Sequence, residues 1–143
     1  MTSRVIRFGI QTTGDTETID ITERVRDMVR ETGVQDGLAL VMTLHTTTAI
    51  TVNEGLPDLE DDIVEMLQRL APAEGDYRHA RFLHSDGQMA VNAPSHLRGA
   101  LLGFQCMFPI ADGEMVMGGR QTIYFVELDG PLYREAVVQV IGA

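Results

Sequence analysis

The sequence predicts a single α+β domain over residues 1–143, with layered, largely antiparallel sheets packed against about three helices. Three observations carry that expectation. Apolar residues recur at helical spacing in segments with recognisable starts and stops. Other segments alternate, or run apolar, over the length of a strand. Asp-Gly pairs punctuate the strand-rich last third. No linker, charge block or internal repeat divides the chain, and 143 residues suffice for one core without disulfides or metal.

Residues 5–10 alternate, setting Val5, Arg7 and Gly9 against Ile6, Phe8 and Ile10, which is the period of a half-buried strand. Asp20-Ile-Thr-Glu23 reads as a capping box. Ile21, Val25, Met28 and Val29 then follow at helical spacing, and Gly33 offers a left-handed stop. Residues 37–44 are continuously apolar, as expected of a strand buried on both faces, and deliver His45-Thr-Thr-Thr48 at its end. Residues 49–52 form a further short strand that could run back beside the first. Pro57 suits the first turn of a helix whose stripe is Leu59, Ile63, Met66, Leu67 and Leu70, stopped by Pro72. Residues 73–92 lack a period, and long unpatterned segments within compact domains are often functional. Residues 94–102 read as a short helix ended by Gly103. Strands are expected at 104–110, 115–117, 121–128 and 133–141, with turns at 111–113 and 129–131.

Twenty-one acidic against 11 basic side chains give a formal net charge of −10. Such a chain is unsuited to a sequence-independent grip on nucleic-acid phosphates, or to anionic lipid. Its longest apolar runs fall well short of the ~20 residues that span a bilayer, and its start lacks the apolar stretch of a signal peptide. The single cysteine, Cys106, has no internal partner, so a cytoplasmic protein is expected, and with no basic neighbour it reads as a structural thiol.

The histidines are the most informative chemistry, because imidazole both ligates metals and moves protons near neutrality. His45 follows an apolar strand, His79 lies in the irregular segment and His96 near a helix start, so three elements could bring imidazoles together. Three neutral nitrogens and an open position are a common catalytic zinc arrangement. Spacing alone equally allows surface or satisfied core histidines. Asn53-Glu54 offers an amide to orient a substrate and a carboxylate to move a proton, or simply a polar turn before a helix. In the acidic run 58–62, Asp62 lies at the edge of the apolar stripe, where a site acid could sit, and such carboxylates suit magnesium and a diphosphate; their plainer role is a helix start. Thr46, Thr47 and Thr48 supply hydroxyls, although threonine is also a good strand residue.

Taken in order, His45-Thr-Thr-Thr-Ala-Ile-Thr-Val-Asn-Glu54, Pro57 with Asp62, Tyr77-Arg-His79, Asn92-Ala-Pro-Ser-His-Leu97, Gly118, Gln121 and Glu127-Leu-Asp-Gly-Pro131 resemble the YjbQ-like family, often described as secondary thiamine-phosphate synthases. The resemblance covers nearly the whole chain. It implies one YjbQ-like domain, assembled as a homotrimer with sites near subunit boundaries. A divalent metal would be held by His45, His79 and His96: zinc, or magnesium with a diphosphate substrate. The family's Asn-Glu pair, acidic helix position and late Gln match Asn53-Glu54, Asp62 and Gln121. The implied activity is that of a metal-dependent enzyme on a small phosphorylated metabolite. Glu54, Asn53 and Asp62 would be catalytic, and Thr46, Thr47, Asn92, Arg120 and Gln121 would bind substrate. Two other functions remain open, a metal- or anion-binding module without turnover and a trimer that a metal merely staples. Arg120 stands where relatives have an aromatic residue and Leu132 where they have arginine, while His84 matches no family position and reads as a surface histidine.

Overall fold

A computed structural model describes residues 1–79 and 91–143, and the backbone of 82–83 and 88–89; His84 lies outside the described residues. The chain runs β1 (Thr2–Gln11), β2 (Glu17–Asp20), α1 (Thr22–Glu31), β3 (Gly37–Thr43), β4 (Thr48–Glu54), α2 (Pro57–Leu70), β5 (Phe82–Leu83) and β6 (Gln88–Met89). It continues through α3 (Ala93–Leu102), β7 (Gln105–Ala111), β8 (Glu114–Met115), β9 (Gln121–Glu127) and β10 (Tyr133–Gly142). Sheets of order β1-β10-β3-β7-β8 and β2-β9-β4 are accompanied by the small β5-β6 ladder, and all strand pairs are antiparallel. The expected α+β class, with three helices, is what the chain adopts. Among the described residues, no helix is long and apolar enough to cross a membrane.

Two apolar layers meet on β9. Its Ile123 and Phe125 face the large sheet and α1, joining Phe8, Val41, Phe108, Val138, Val25 and Val29. Its Tyr124 and Val126 face the other way, onto Leu67 of α2 and Leu128. Burying a side chain such as Phe125, which is 0% exposed, contributes roughly 1.5–3 kcal/mol. The strand buried on both faces is therefore β9. β3, expected in that role, alternates instead: Ala39 and Val41 are 0% exposed and Leu38 is 50% exposed. Nor does β4 run back beside β3; it pairs along its whole length with β9, Thr48 opposite Glu127 and Glu54 opposite Gln121.

Local chemistry explains most boundaries. Asp20 Oδ1 accepts the Thr22 N–H at 2.9 Å just before α1, but the N-cap residue is Ile21 and Glu23 pairs with Arg26, so the expected capping box does not form. Gly33 takes φ +72°, the left-handed stop expected there. Asp112 and Gly113 both have positive φ, as a two-residue hairpin turn with the twist of its strands requires. The α2 stripe is less buried than its period suggests, because Met66 and Leu70 stay exposed and only Leu67 enters the core. Buried Arg98 of α3 donates through Nε to the Ala71 carbonyl at 2.9 Å, tying the end of α2 to the helix that carries His96.

Candidate functional site

The loop leaving β3 and the helix α3 meet at the Thr48 end of the β4-β9 ladder. They approach closely because α3 presents Gly99, where a Cβ would stand 3.3 Å from the Thr48 carbonyl oxygen and 3.4 Å from that of Thr46. Between them opens a cavity of about 570 Å³. Among the described residues, Thr43, His45, Thr46, Thr48 and His96 are its polar lining, Met42, Leu44 and Phe104 contribute apolar wall, and no carboxylate lines it. A second cavity, of about 420 Å³, adjoins across His96 and is lined by Asp76, Tyr77, Arg78 and His79 together with Ala93 and Leu97 of α3. His79 and His96 stand edge to face with ring centres 5.1 Å apart. That spacing is close to the about 5 Å between two imidazoles on one tetrahedral zinc, and it is equally the spacing of an ordinary edge-to-face ring pair.

The third expected ligand is placed differently. His45 Nε2 accepts the backbone N–H of Glu135 at 2.8 Å, and among the described residues no three His, Cys, Asp or Glu side chains gather as a metal cluster. Burial, then the nearby Arg134 guanidinium, hold the His45 pKa below its ordinary value, which keeps the ring neutral at pH 7.

Behind the cavity lies a buried ion pair. Glu127, 0% exposed, receives Arg134 Nε at 2.7 Å and Arg134 Nη2 at 2.6 Å in a bidentate grip. It also accepts the Thr12 hydroxyl and the N–H groups of Leu128 and Asp129. Burial alone would raise the Glu127 pKa; the hydrogen bonds from Arg134, the Asp129 backbone and Thr12 outweigh it and hold the carboxyl below the ordinary range. Arg134 Nη2 also donates to Thr47 Oγ1 at 3.0 Å. The turn organised by Glu127 in its turn holds α3: Ser95 Oγ donates to the Leu128 carbonyl at 2.6 Å, and Asn92 Nδ2 to Asp129 Oδ2 at 3.0 Å.

These contacts revise several expected roles. Thr47 does not face the cavity, because its buried hydroxyl is taken by Arg134. Asn92 is held by Asp129 at the start of α3 and lines neither histidine cavity, so its amide orients the helix. Thr46 does line the first cavity. Asn53, Glu54, Arg120 and Gln121 form a separate group at the other end of β4, and at about 3.3 Å per residue that end is about 20 Å from Thr48. There Arg120 Nε lies 3.8 Å from Glu54 Oε1, while Asn53 Oδ1 accepts the Glu54 N–H and Gln121 Oε1 accepts the Gly118 N–H. Asp62 is exposed on α2 and lines neither histidine cavity. Cys106 is half-buried, and desolvation pushes its thiol up to about 12, away from the thiolate form that a nucleophile needs.

Glu127 and Arg134 are the residues that sequence reasoning passed over as a pair. The signal was present: Glu127 falls in phase with inward-facing Ile123 and Phe125, and Arg134 with Ala136 and Val138. Opposite charges at core-facing strand positions call for each other.

The profile of one protein family, described as UPF0047 protein YjbQ-like, matches residues 6–143. A UPF0047 protein of Archaeoglobus fulgidus is 38% identical over 132 residues, 92% of this chain and 97% of that protein. The UPF0047 protein YugU of Bacillus subtilis is 34% identical over 134 residues, covering 93% and 96%. Among solved structures, a YbjQ-like protein of unknown function from Sulfolobus solfataricus superposes with a TM-score of 0.90 at 29% identity, covering 99% of both chains. With matches of this extent in sequence and fold, the chain belongs to the UPF0047 YjbQ-like family.

Proposed function

We propose that the protein is a metal-dependent enzyme acting on a small phosphorylated metabolite in the cavity between His45 and His96. One observation carries this reading: His96 stands on the wall shared by two cavities, paired with His79 in one and accompanied by His45 in the other. His79 and His96 would hold a divalent metal, zinc, or magnesium with a diphosphate substrate, which when bound would polarise phosphate oxygens. The chain's own groups would do the rest. Thr46 would offer a hydroxyl donor, while Met42, Leu44 and Phe104 would pack against the non-phosphorylated part of the ligand. The specific reaction proposed is the joining of a pyrimidine diphosphate to a thiazole phosphate with loss of diphosphate.

A proton-handling role for Glu54 requires a second copy, because within one protomer Glu54 lies at the far end of β4. A homotrimer that brings the Glu54, Arg120 and Gln121 end of one copy to the histidine cavity of the next would complete the site. Among the described residues no carboxylate lines the cavity between His45 and His96, which favours a second reading, in which the site captures a small anion without turnover.

The test is metal content and turnover on untagged protein purified without chelator. The enzyme reading expects stoichiometric metal in the wild type, its loss in His79→Ala and His96→Ala, a mass of three protomers, and thiamine phosphate from the two substrates. Saturable binding of inorganic phosphate without product selects the capture reading. A wild type that refuses both added zinc and added magnesium sinks the metal-dependent enzyme reading alone.

A further inference from the structure

We propose that His45 is not a ligand of the metal but a fixed hydrogen-bond donor, offering its Nδ1–H to an anionic oxygen of the ligand in the cavity. This rests on the reading of that cavity as a site for a phosphorylated molecule.

The argument begins with the sheet. β10 and β3 pair in antiparallel register as far as Ala136 opposite Thr43, so the next rung would set Glu135 against Leu44. Half of that rung forms, with the Leu44 N–H donating to the Glu135 carbonyl at 3.2 Å. The returning bond of an antiparallel rung would run from the Glu135 N–H to the Leu44 carbonyl. Here it runs to His45 Nε2 at 2.8 Å instead. The imidazole thus replaces a backbone acceptor at the point where the strand ends, and the His45 N–H, 3.3 Å from Thr43 Oγ1, turns the chain away.

A backbone amide can only donate, so Nε2 must accept. A neutral imidazole has one lone pair and one N–H, which puts the proton on Nδ1. Metal-ligating histidines show the opposite arrangement, with one nitrogen on the metal and the other donating its N–H to a carbonyl or carboxylate. To ligate through Nε2, His45 would have to strip the Glu135 amide of its partner. To ligate through Nδ1 it would have to become an imidazolate. Among the described residues no carboxylate lines the cavity that His45 faces, and a phosphate oxygen of the ligand has the chemistry to accept the Nδ1–H.

The experiment is nitrogen NMR of protein labelled with ¹⁵N-histidine, titrated first with zinc and then with inorganic phosphate, with His45 assigned from the spectrum of His45→Gln. The expected result is a His45 ring with a protonated Nδ1 and a bare Nε2, unmoved by zinc and shifted at Nδ1 by phosphate, while the His79 and His96 signals move with zinc. Phosphate binding should weaken about tenfold in His45→Phe and by much less in His45→Gln, whose amide can both accept from Glu135 and donate. A proton on Nε2, a His45 signal that moves on zinc addition, or loss of zinc from folded His45→Gln would overturn the proposal. Should the wild type bind no zinc, the metal reading falls alone, and the His45 tautomer and its response to phosphate still decide this one.

Discussion

The two ends of the β4-β9 ladder are built on opposite terms. At the Thr48–Glu127 end the buried ion pair is fully partnered: a carboxylate at 0% exposure accepts two guanidinium bonds, a hydroxyl and two backbone amides, and with Arg134 ties together the end of β1, the His45 loop and the start of α3. At the Glu54–Gln121 end, a guanidinium whose side chain is 85% exposed stands 3.8 Å from its carboxylate, and the amide side chains bond to their own neighbours. Burial without water forces complete pairing, since an unpaired charge there costs several kcal/mol. Exposure imposes no such demand. The first end is therefore preorganised by the protomer, whereas the second keeps its side chains available to something outside it.

Breaking the rigid end should have the largest effect. Glu127→Ala leaves Arg134 buried and unpaired, and should lower the unfolding free energy in denaturant by about 3–5 kcal/mol. Acid should expose the same asymmetry. The folded pKa of Glu127 is depressed, so the unfolded chain binds more protons as pH falls below the ordinary carboxylate range. Its stabilising contribution is complete above that range and is lost as pH falls through the folded value. The thermal midpoint should fall steeply there, and less steeply in the double variant Glu127→Gln/Arg134→Met. Asn92→Ala removes one bond between α3 and Asp129 and should cost about 1 kcal/mol, with a measurable weakening of ligand binding in the adjoining cavity. At the loose end, Arg120→Ala should change protomer stability by less than about 0.5 kcal/mol. A larger loss, dependent on protein concentration, would show that this end is held by another copy.

The helices and long strands were legible because each advertises its own period. α1, α3, β1 and β10 lie within a few residues of where Val25 and Val29, Gly103, Phe8 and Ile10, and Ala136 and Val138 put them. β2 was not legible: four residues pairing with β9 carry no alternation of their own. The partners of β3 and β4 were not legible either, because residues 37–44 and 49–52 read equally well as neighbours, and the choice of β10, β7 and β9 is made by surfaces distant in sequence. At the site, the importance of histidine was visible, whereas the company each one keeps was not.

From the sequence by itself came the α+β class, the order and approximate limits of most elements, the positive-φ turns at Gly33 and Gly113, and the residues from which a site could be made. These follow from interactions within a few residues, namely side-chain periodicity, capping and backbone sterics. Only the tertiary structure decided that β9 is buried on both faces, that Glu127 and Arg134 close on each other, that His96 meets His79, and that Glu54 lies at the opposite end of the ladder from His45. Those outcomes depend on the register between distant strands, where a shift of one residue turns every side chain to the other face, and no local pattern carries that information.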